Sequence, residues 1–174
     1  MARRTDVLVL AQVVTAAGVL WPGRARWSLS RPIAATAVVA MIGGGALAVA
    51  GVRELGRDLT PFVDPRADAS LHTGGVFGVT RNPVYAGLLA GAWAVAVLRR
   101  RPEPLAAATC LSVVLHVKAG VEEGRLSERF GDTYDAYRGR TPRLVPSPRA
   151  CIRAAVTGLT RSCSSGSRRT GRPG

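Results

Sequence analysis

The sequence predicts an all-α integral membrane helix bundle of about four transmembrane helices, the last two a hairpin. A C-terminal amphipathic interfacial helix and a disordered basic tail follow. Three observations lead there. The chain of 174 residues is 47% hydrophobic and 5% aromatic, yet it carries a formal charge of +13. The two extremes are separated, with four apolar runs between Val7 and Val117. Arginines cluster at their ends, Arg24, Arg26 and Arg31 at one connection and Arg99, Arg100 and Arg101 at another. Apolar spans with basic flanks are the pattern of helices that cross a bilayer.

Each element has its own warrant. Val7–Trp21, preceded by Arg3 and Arg4, has the length of a signal-peptide core, but no small-x-small cleavage site precedes a soluble domain and more apolar runs follow. It reads as a retained helix ended by Pro22-Gly23. From Pro32 to Val52 run 21 uncharged residues, which at a rise of ~1.5 Å per residue match the ~30 Å hydrocarbon core of a bilayer. Gly43-Gly44-Gly45 within it permits close approach of another helix. The runs Asn82–Leu98 and Pro104–Val117 are shorter, and the connection Arg99–Pro104 makes them an antiparallel hairpin. Between the second and third runs lies the longest loop, Glu54 to Arg81, with Pro61, Pro65, Gly74, Gly75 and Gly78; loops of that length in a compact protein are often functional.

A polar helix is expected from about Val121. Glu123, Leu126, Phe130, Tyr134 and Tyr137 form one stripe at helical spacing, with Gly131 closing one turn and Asp132 capping the next. A packing helix explains the stripe but not the adjacent carboxylates Glu122 and Glu123. Residues 1–146 thus form the folded domain, with 54–146 its motif-bearing part, and 147–174 a disordered tail. From Arg138 onward there are nine arginines and no acid, which suits an anionic membrane surface and puts the C-terminus on the cytoplasmic side. Nucleic-acid binding is the competing reading of such a tail, but no aromatics interleave the arginines after Tyr137 and no folded binding module is visible. Cys110, Cys151 and Cys163 show neither metal-ligand spacing nor a disulfide framework, and no metal site is expected.

Two constellations can carry chemistry. In the first, Gly74-Gly75-Val76-Phe77-Gly78 leads into Arg81-Asn82-Pro83-Val84-Tyr85. Asn82 can cap a helix whose first position suits Pro83. The N–H groups of that first turn, with the glycine-rich loop, offer an anion site for an amino-acid carboxylate. A plain helix cap explains the same residues. The second is His116, Lys118, Glu122 and Glu123, where the fourth run meets the polar helix. Ionisable groups near the hydrocarbon are costly and so are functional candidates. The bland alternatives are a snorkelling Lys118, a His116 bonded to a neighbouring helix, and a surface pair of Glu122 with Arg125. The residues by themselves indicate a helix bundle with a polar pocket at one interface, and no particular reaction.

These residues resemble the superfamily of isoprenylcysteine carboxyl methyltransferases and phospholipid methyltransferases. Its members show Arg-His-Pro-x-Tyr-x-Gly or an Arg-Asn-Pro variant, then Glu-Glu-x-x-Leu-x-x-x-Phe-Gly-x-x-Tyr-x-x-Tyr. This chain has Arg81-Asn82-Pro83-Val84-Tyr85-Ala86-Gly87, then Glu122-Glu123-Gly124-Arg125-Leu126, Phe130-Gly131, Tyr134 and Tyr137. Thr141-Pro142-Arg143-Leu144-Val145-Pro146 is similar to the family's close and Leu59-Thr60-Pro61 to its pre-motif loop. Val76-Phe77 stands where Pro-Tyr is usual, and Asn82 where His is commoner, which keeps hydrogen bonding without a titrating imidazole.

The resemblance implies S-adenosylmethionine as methyl donor, bound between the two motifs near the cytoplasmic face of the cell membrane. It implies a membrane lipid or a prenylated small molecule as acceptor. Carried over by position, Asn82, Pro83, Tyr85, Glu122 and Glu123, with Gly75 of the loop, would contact the cofactor. Arg81 or Arg125 would orient a carboxylate acceptor, whereas an amine or hydroxyl would need His116 or Glu122 as base. The alternative is a non-catalytic membrane protein that keeps the fold and binds lipid or a partner. Because the tail lacks acids, periodicity and motif residues, truncation after Pro148 is expected to leave methyl transfer intact and to weaken adhesion to anionic vesicles. A folded but inactive truncated protein would place the tail in the site.

Overall fold

The structure, a computed structural model, describes residues 2–56 and 71–145. Leu59-Thr60-Pro61, Pro65, Cys151, Cys163 and the tail 147–174 lie outside the described residues. Five helices follow in order: α1 (Ala2–Leu20), α2 (Arg31–Leu55), α3 (Pro83–Arg99), α4 (Pro102–Phe130) and α5 (Asp132–Arg140). A 3-10 turn, Gly75–Gly78, precedes α3. No strand is present among the described residues. Proline occupies the first turn of α2, α3 and α4, where its missing N–H costs nothing and its fixed φ suits the helix.

Two helices, Arg31–Leu55 and Pro102–Phe130, are long and apolar enough to cross a bilayer, and Asp6–Leu20 and Pro83–Arg99 are shorter apolar helices. In α2 only 11% of the apolar window is buried. Ile33, Val38, Val39, Met41, Ile42, Val49 and Val52 face outward, as do Val7, Leu10, Val13 and Val14 of α1. A continuous apolar exterior of this kind is untenable in water and ordinary in lipid. Trp21 and Trp27 are exposed in the α1–α2 connection, the level at which indole rings favour the headgroup boundary.

The expected hairpin of α3 and α4 is present: Arg100, in the left-handed conformation at φ 56°, turns the chain within two residues. The main packing partners are otherwise α2 with α3 and α1 with α4. At the turn, Arg99 Nη2 donates to the Leu20 carbonyl (2.8 Å) and Arg101 Nη1 to that of Trp21 (3.1 Å). These bonds satisfy carbonyls that the end of α1 leaves open.

One expectation is corrected. The separate polar helix from about Val121 does not exist as such, because α4 runs unbroken from Pro102 to Phe130 over 29 residues. The change from apolar to polar side chains alters the surroundings of the helix, not its backbone ladder. The break falls at Gly131, whose φ of +50° ends α4 and opens α5. Asp132 accordingly lies in the first turn of α5 and makes no side-chain cap. At ~1.5 Å per residue α4 spans ~43 Å, so it outruns the ~30 Å hydrocarbon core and carries its last turns beyond it.

The α2–α3 contact depends on small residues, and only one of the three consecutive glycines takes part. A Cβ at Gly87 would come 2.3 Å from the Gly44 carbonyl oxygen, and one at Gly44 would come 2.7 Å from the Ala90 Cβ; at Gly43 or Gly45 it would meet nothing within 4 Å. Gly87→Ala is therefore expected to cost about 1–3 kcal/mol by forcing the backbones apart. Gly43→Ala should gain up to about 1 kcal/mol of helix propensity. Thermal unfolding of both variants in detergent, followed by circular dichroism, checks the contrast.

Candidate functional site

The site lies at the end of the bundle where α2 finishes, α3 begins and the polar part of α4 emerges. Three features of the chain bring it together. Gly131 turns α5 back, so that Tyr134 (1% exposed) and Tyr137 (2%) face inward. Tyr137 Oη donates to the Phe77 carbonyl at 2.6 Å, joining α5 to the 3-10 turn. Beyond α5 the segment 141–145 runs beside residues 80–82. The Arg81 amide donates to the Pro142 carbonyl (2.9 Å), the Asn82 amide to that of Arg143 (3.2 Å), and the buried Thr80 Oγ1 to the same Arg143 oxygen (2.9 Å).

Glu123 sits at the centre, 3% exposed. Its Oε2 receives Arg143 Nη2 at 2.8 Å and Nε at 3.0 Å, and Arg81 Nη2 at 3.2 Å. Its Oε1 is 3.2 Å from Arg81 Nε and 3.3 Å from Asn82 Nδ2. Two guanidiniums and an amide thus compensate one buried carboxylate, as a buried charge requires. Arg81 Nη1 also donates to the Arg138 carbonyl at 3.1 Å. Asn82 does not cap α3 with its side chain as expected. Its Nδ2 instead donates to Glu123 and to the Arg143 carbonyl, each at 3.3 Å, and an amide oriented by those two donations does not bring its Oδ1 to the first-turn N–H groups as a cap requires. Pro83 does open the helix.

Glu122 faces another way. Successive helical residues differ by about 100° in direction, so its carboxylate meets α3, where Tyr85 Oη donates to Oε1 at 2.6 Å. Lys118, 3% exposed, is on this side, its Nζ 3.1 Å from Gln12 Oε1 of α1 and 5.4 Å from the centroid of the Tyr85 ring. It does not snorkel. His116 belongs to the other side and is exposed, its Nε2 3.3 Å from Arg143 Nη1. The constellation read as one is therefore two, His116–Arg143–Glu123 and Lys118–Tyr85–Glu122. Arg125 lies one turn beyond Glu122, half-buried.

Gly75 has a φ of +54°, a conformation that favours glycine, and a Cβ there would strike the Glu54 carboxylate. Glu54 Oε1 accepts the Val76 N–H at 3.2 Å, so the last turn of α2 holds the glycine turn in place. Glu54, Thr80, Gln12 and Arg143 also hold this end together, and of these only Arg143 has a signal in the sequence, its place in Thr-Pro-Arg. Burial and the neighbouring Glu123 charge push the Tyr134 phenol up to about 12, and its hydroxyl has no hydrogen-bond partner among the described residues. No group of three metal-ligating side chains occurs among them.

The family model described as Phospholipid methyltransferase matches residues 33–133, more than half of the chain. A search of curated proteins returns no match.

The two carboxylates should separate in stability measurements. Glu123→Gln leaves Arg81 and Arg143 against a neutral amide and is expected to cost about 3–5 kcal/mol, towards the lower end because Arg143 is partly solvated. Glu122→Gln keeps an acceptor for Tyr85 and should cost about 1 kcal/mol or less. Unfolding midpoints of the two variants test the order.

Proposed function

The chain belongs to the phospholipid methyltransferase family, and on that footing we propose that it is an S-adenosylmethionine-dependent enzyme that methylates a lipophilic, membrane-borne acceptor. The observation that carries the reading is the union of two motifs some 40 residues apart at one end of an apolar bundle, Glu123 bound to Arg81 and Asn82 and Glu122 bound to Tyr85. The acceptor is an isoprenylcysteine-like carboxylate or a lipid head group.

The residues suit the amino-acid part of such a cofactor. A zwitterion needs an anionic partner for its ammonium and N–H donors for its carboxylate. Glu122 offers the first; the opening turn of α3 after Pro83, with the Gly75 turn beside it, offers the second. The buried and unpartnered Tyr134 hydroxyl is a further donor at the same end. S-adenosylmethionine supplies a methyl group on an already electrophilic sulfonium. The protein's task is then to align donor and acceptor and to exclude water.

Within the site the roles divide. Glu123 organises Arg81, Asn82 and Arg143, and Asn82, Pro83 and Tyr85 shape the pocket wall. Arg81 is bound to Glu123 and the Arg138 carbonyl; Arg81 or Arg125 would orient a carboxylate acceptor, which needs no base. An amine or hydroxyl acceptor would need one, and Glu122 lies nearer to Tyr85 and Lys118 than His116 does. The basic stretch from Arg138 onward supports a site on the cytoplasmic side of the membrane.

Calorimetry with S-adenosylhomocysteine, on protein in nanodiscs, tests the reading. Glu122→Gln should lose one charge-assisted hydrogen bond, about 1.5–3 kcal/mol or roughly 10–150-fold in affinity. Glu128→Gln, exposed on the same helix, should change affinity by less than about twofold. Equal small effects, or no binding by the unaltered protein, would favour a lipid-binding protein that retains the fold. Mass spectrometry of lipid extracts after labelled-methyl feeding identifies the acceptor.

A further inference from the structure

The end of the bundle opposite the site is strongly basic. Residues 20–31 and 99–104, which connect α1 to α2 and α3 to α4, hold Arg24, Arg26, Arg31, Arg99, Arg100 and Arg101 against one acid, Glu103. Three of these arginines bind the two connections together. Arg99 and Arg101 donate to the carbonyls of Leu20 and Trp21, and Arg26 and Arg101 both pair with Glu103. The Arg26 amide also donates to the Arg100 carbonyl at 2.9 Å. The fit is close, since a Cβ at Gly23 would fall 2.1 Å from Arg101 Nη1. The side chains of Arg24, Arg31 and Arg100 take no part in these bonds. Arg24 and Arg31 are exposed and Arg100 is half-buried, so three further charges ride on a framework that the others fix.

Their level is set by the apolar runs. Arg31 immediately precedes the uncharged stretch Pro32–Val52, and Arg99 and Arg100 immediately follow Leu98. The exposed indoles of Trp21 and Trp27 lie in the same α1–α2 connection. Aliphatic side chains facing outward along the helices, with indoles and guanidiniums at their ends, match the head-group layer of a bilayer. There a guanidinium binds phosphate through paired N–H donors. On the cytoplasmic reading of the site end, the positive-inside bias does not account for arginines at this one, and a single glutamate does not balance them. We propose that this end of the bundle binds the phosphate groups of anionic phospholipids in the leaflet opposite the site. A head group held by Arg24 and Arg100 ties the α1–α2 connection to the hairpin turn from outside, as Arg26, Arg99 and Arg101 tie it from within. The inference is independent of the methyltransferase reading, because none of these residues belongs to the site.

Trp21 and Trp27 report on the lipids around them. The full chain carrying Trp93→Phe, so that only these two indoles remain, is reconstituted in phosphatidylcholine vesicles. A minor fraction of the lipid has acyl chains brominated near the ester end, which quench tryptophan on contact. Brominated phosphatidylglycerol should quench more than the same fraction of brominated phosphatidylcholine, by an amount equal to about fivefold enrichment or more. Fivefold is the effect of one arginine at an anionic surface. The basic tail gathers anionic lipid at the other leaflet, out of contact with these indoles. Arg24→Gln/Arg31→Gln/Arg100→Gln should abolish the preference, and Arg24→Lys/Arg31→Lys/Arg100→Lys should keep it, because charge carries it. If circular dichroism shows that the triple glutamine variant does not fold, Arg24→Gln alone should lose part of the preference. Equal quenching by the two brominated lipids would overturn the proposal, as would a preference that survives in the glutamine variants. Relief of the preference by inorganic phosphate, beyond that by chloride at equal ionic strength, would overturn it too, showing a site for the free ion.

Discussion

A carboxylate that is 3% exposed and pressed between two guanidiniums is the contact around which the site end is arranged. Burying an ion costs several kcal/mol unless partners with good geometry compensate it. Glu123 takes its partners from both sides of the motif-bearing chain. Arg81 and Asn82 immediately precede α3 and Arg143 follows α5, so one charge fixes the start of one helix and the return from another. The backbone pairing of 81–82 with 142–143 follows once those side chains are drawn to the same point. The direction of Glu122 follows too, since rotation about the helix turns it towards Tyr85 as soon as Glu123 faces inward. Two adjacent acids thereby acquire different work, one inside the fold and one at the edge of a pocket.

The bundle beneath this end is held by other means. Its apolar cluster is small, Val19, Ala96 and Ala108 with Ala92, Val95, Leu105 and Ala107 packed against them, and many of its aliphatic side chains point outward, although Leu111 and Leu115 are buried. In lipid, burying a leucine against another helix gains little, because the surrounding chains are equally apolar. Close backbone approach and shape decide the packing instead. The contact of Gly44 with Gly87 and the capping of the α1 carbonyls by Arg99 and Arg101 are two such devices. Neither draws on the hydrophobic effect.

Much of this was legible in the sequence. Four apolar runs announce four apolar helices because a membrane span is written in composition. The two-residue turn at Arg100 follows from the brevity of Arg99–Pro104. The meeting of the Arg81-Asn82-Pro83 and Glu122-Glu123 motifs was expected only from resemblance, since each alone reads as a helix cap or a charged surface. The continuity of α4 was not legible, because a change of polarity looks like a boundary when the backbone has none. Nor was the choice of Gly44 over Gly43 and Gly45, which depends on how α2 is rotated. The hydrogen bonds of Lys118 with Gln12 and of the Gly75 turn with Glu54 join candidate residues to partners, Gln12 and Glu54, that their local sequence does not mark. The Asn82 side chain shows the general reason. Local preference favoured a cap, and donation to a buried charge 41 residues away orients the amide otherwise.

The segment that closes the site also sets an order of assembly. A ribosome delivers Arg81 and Asn82 first, then Glu123 some 40 residues later, and Arg143 after another 20. Until that last residue has left the exit tunnel, Glu123 has half its cations and Thr80 lacks the Arg143 carbonyl it donates to. The site therefore waits on the last stretch of the folded chain to be made, and Glu123 and Thr80 gain their full set of partners only when 141–145 folds back beside 80–82.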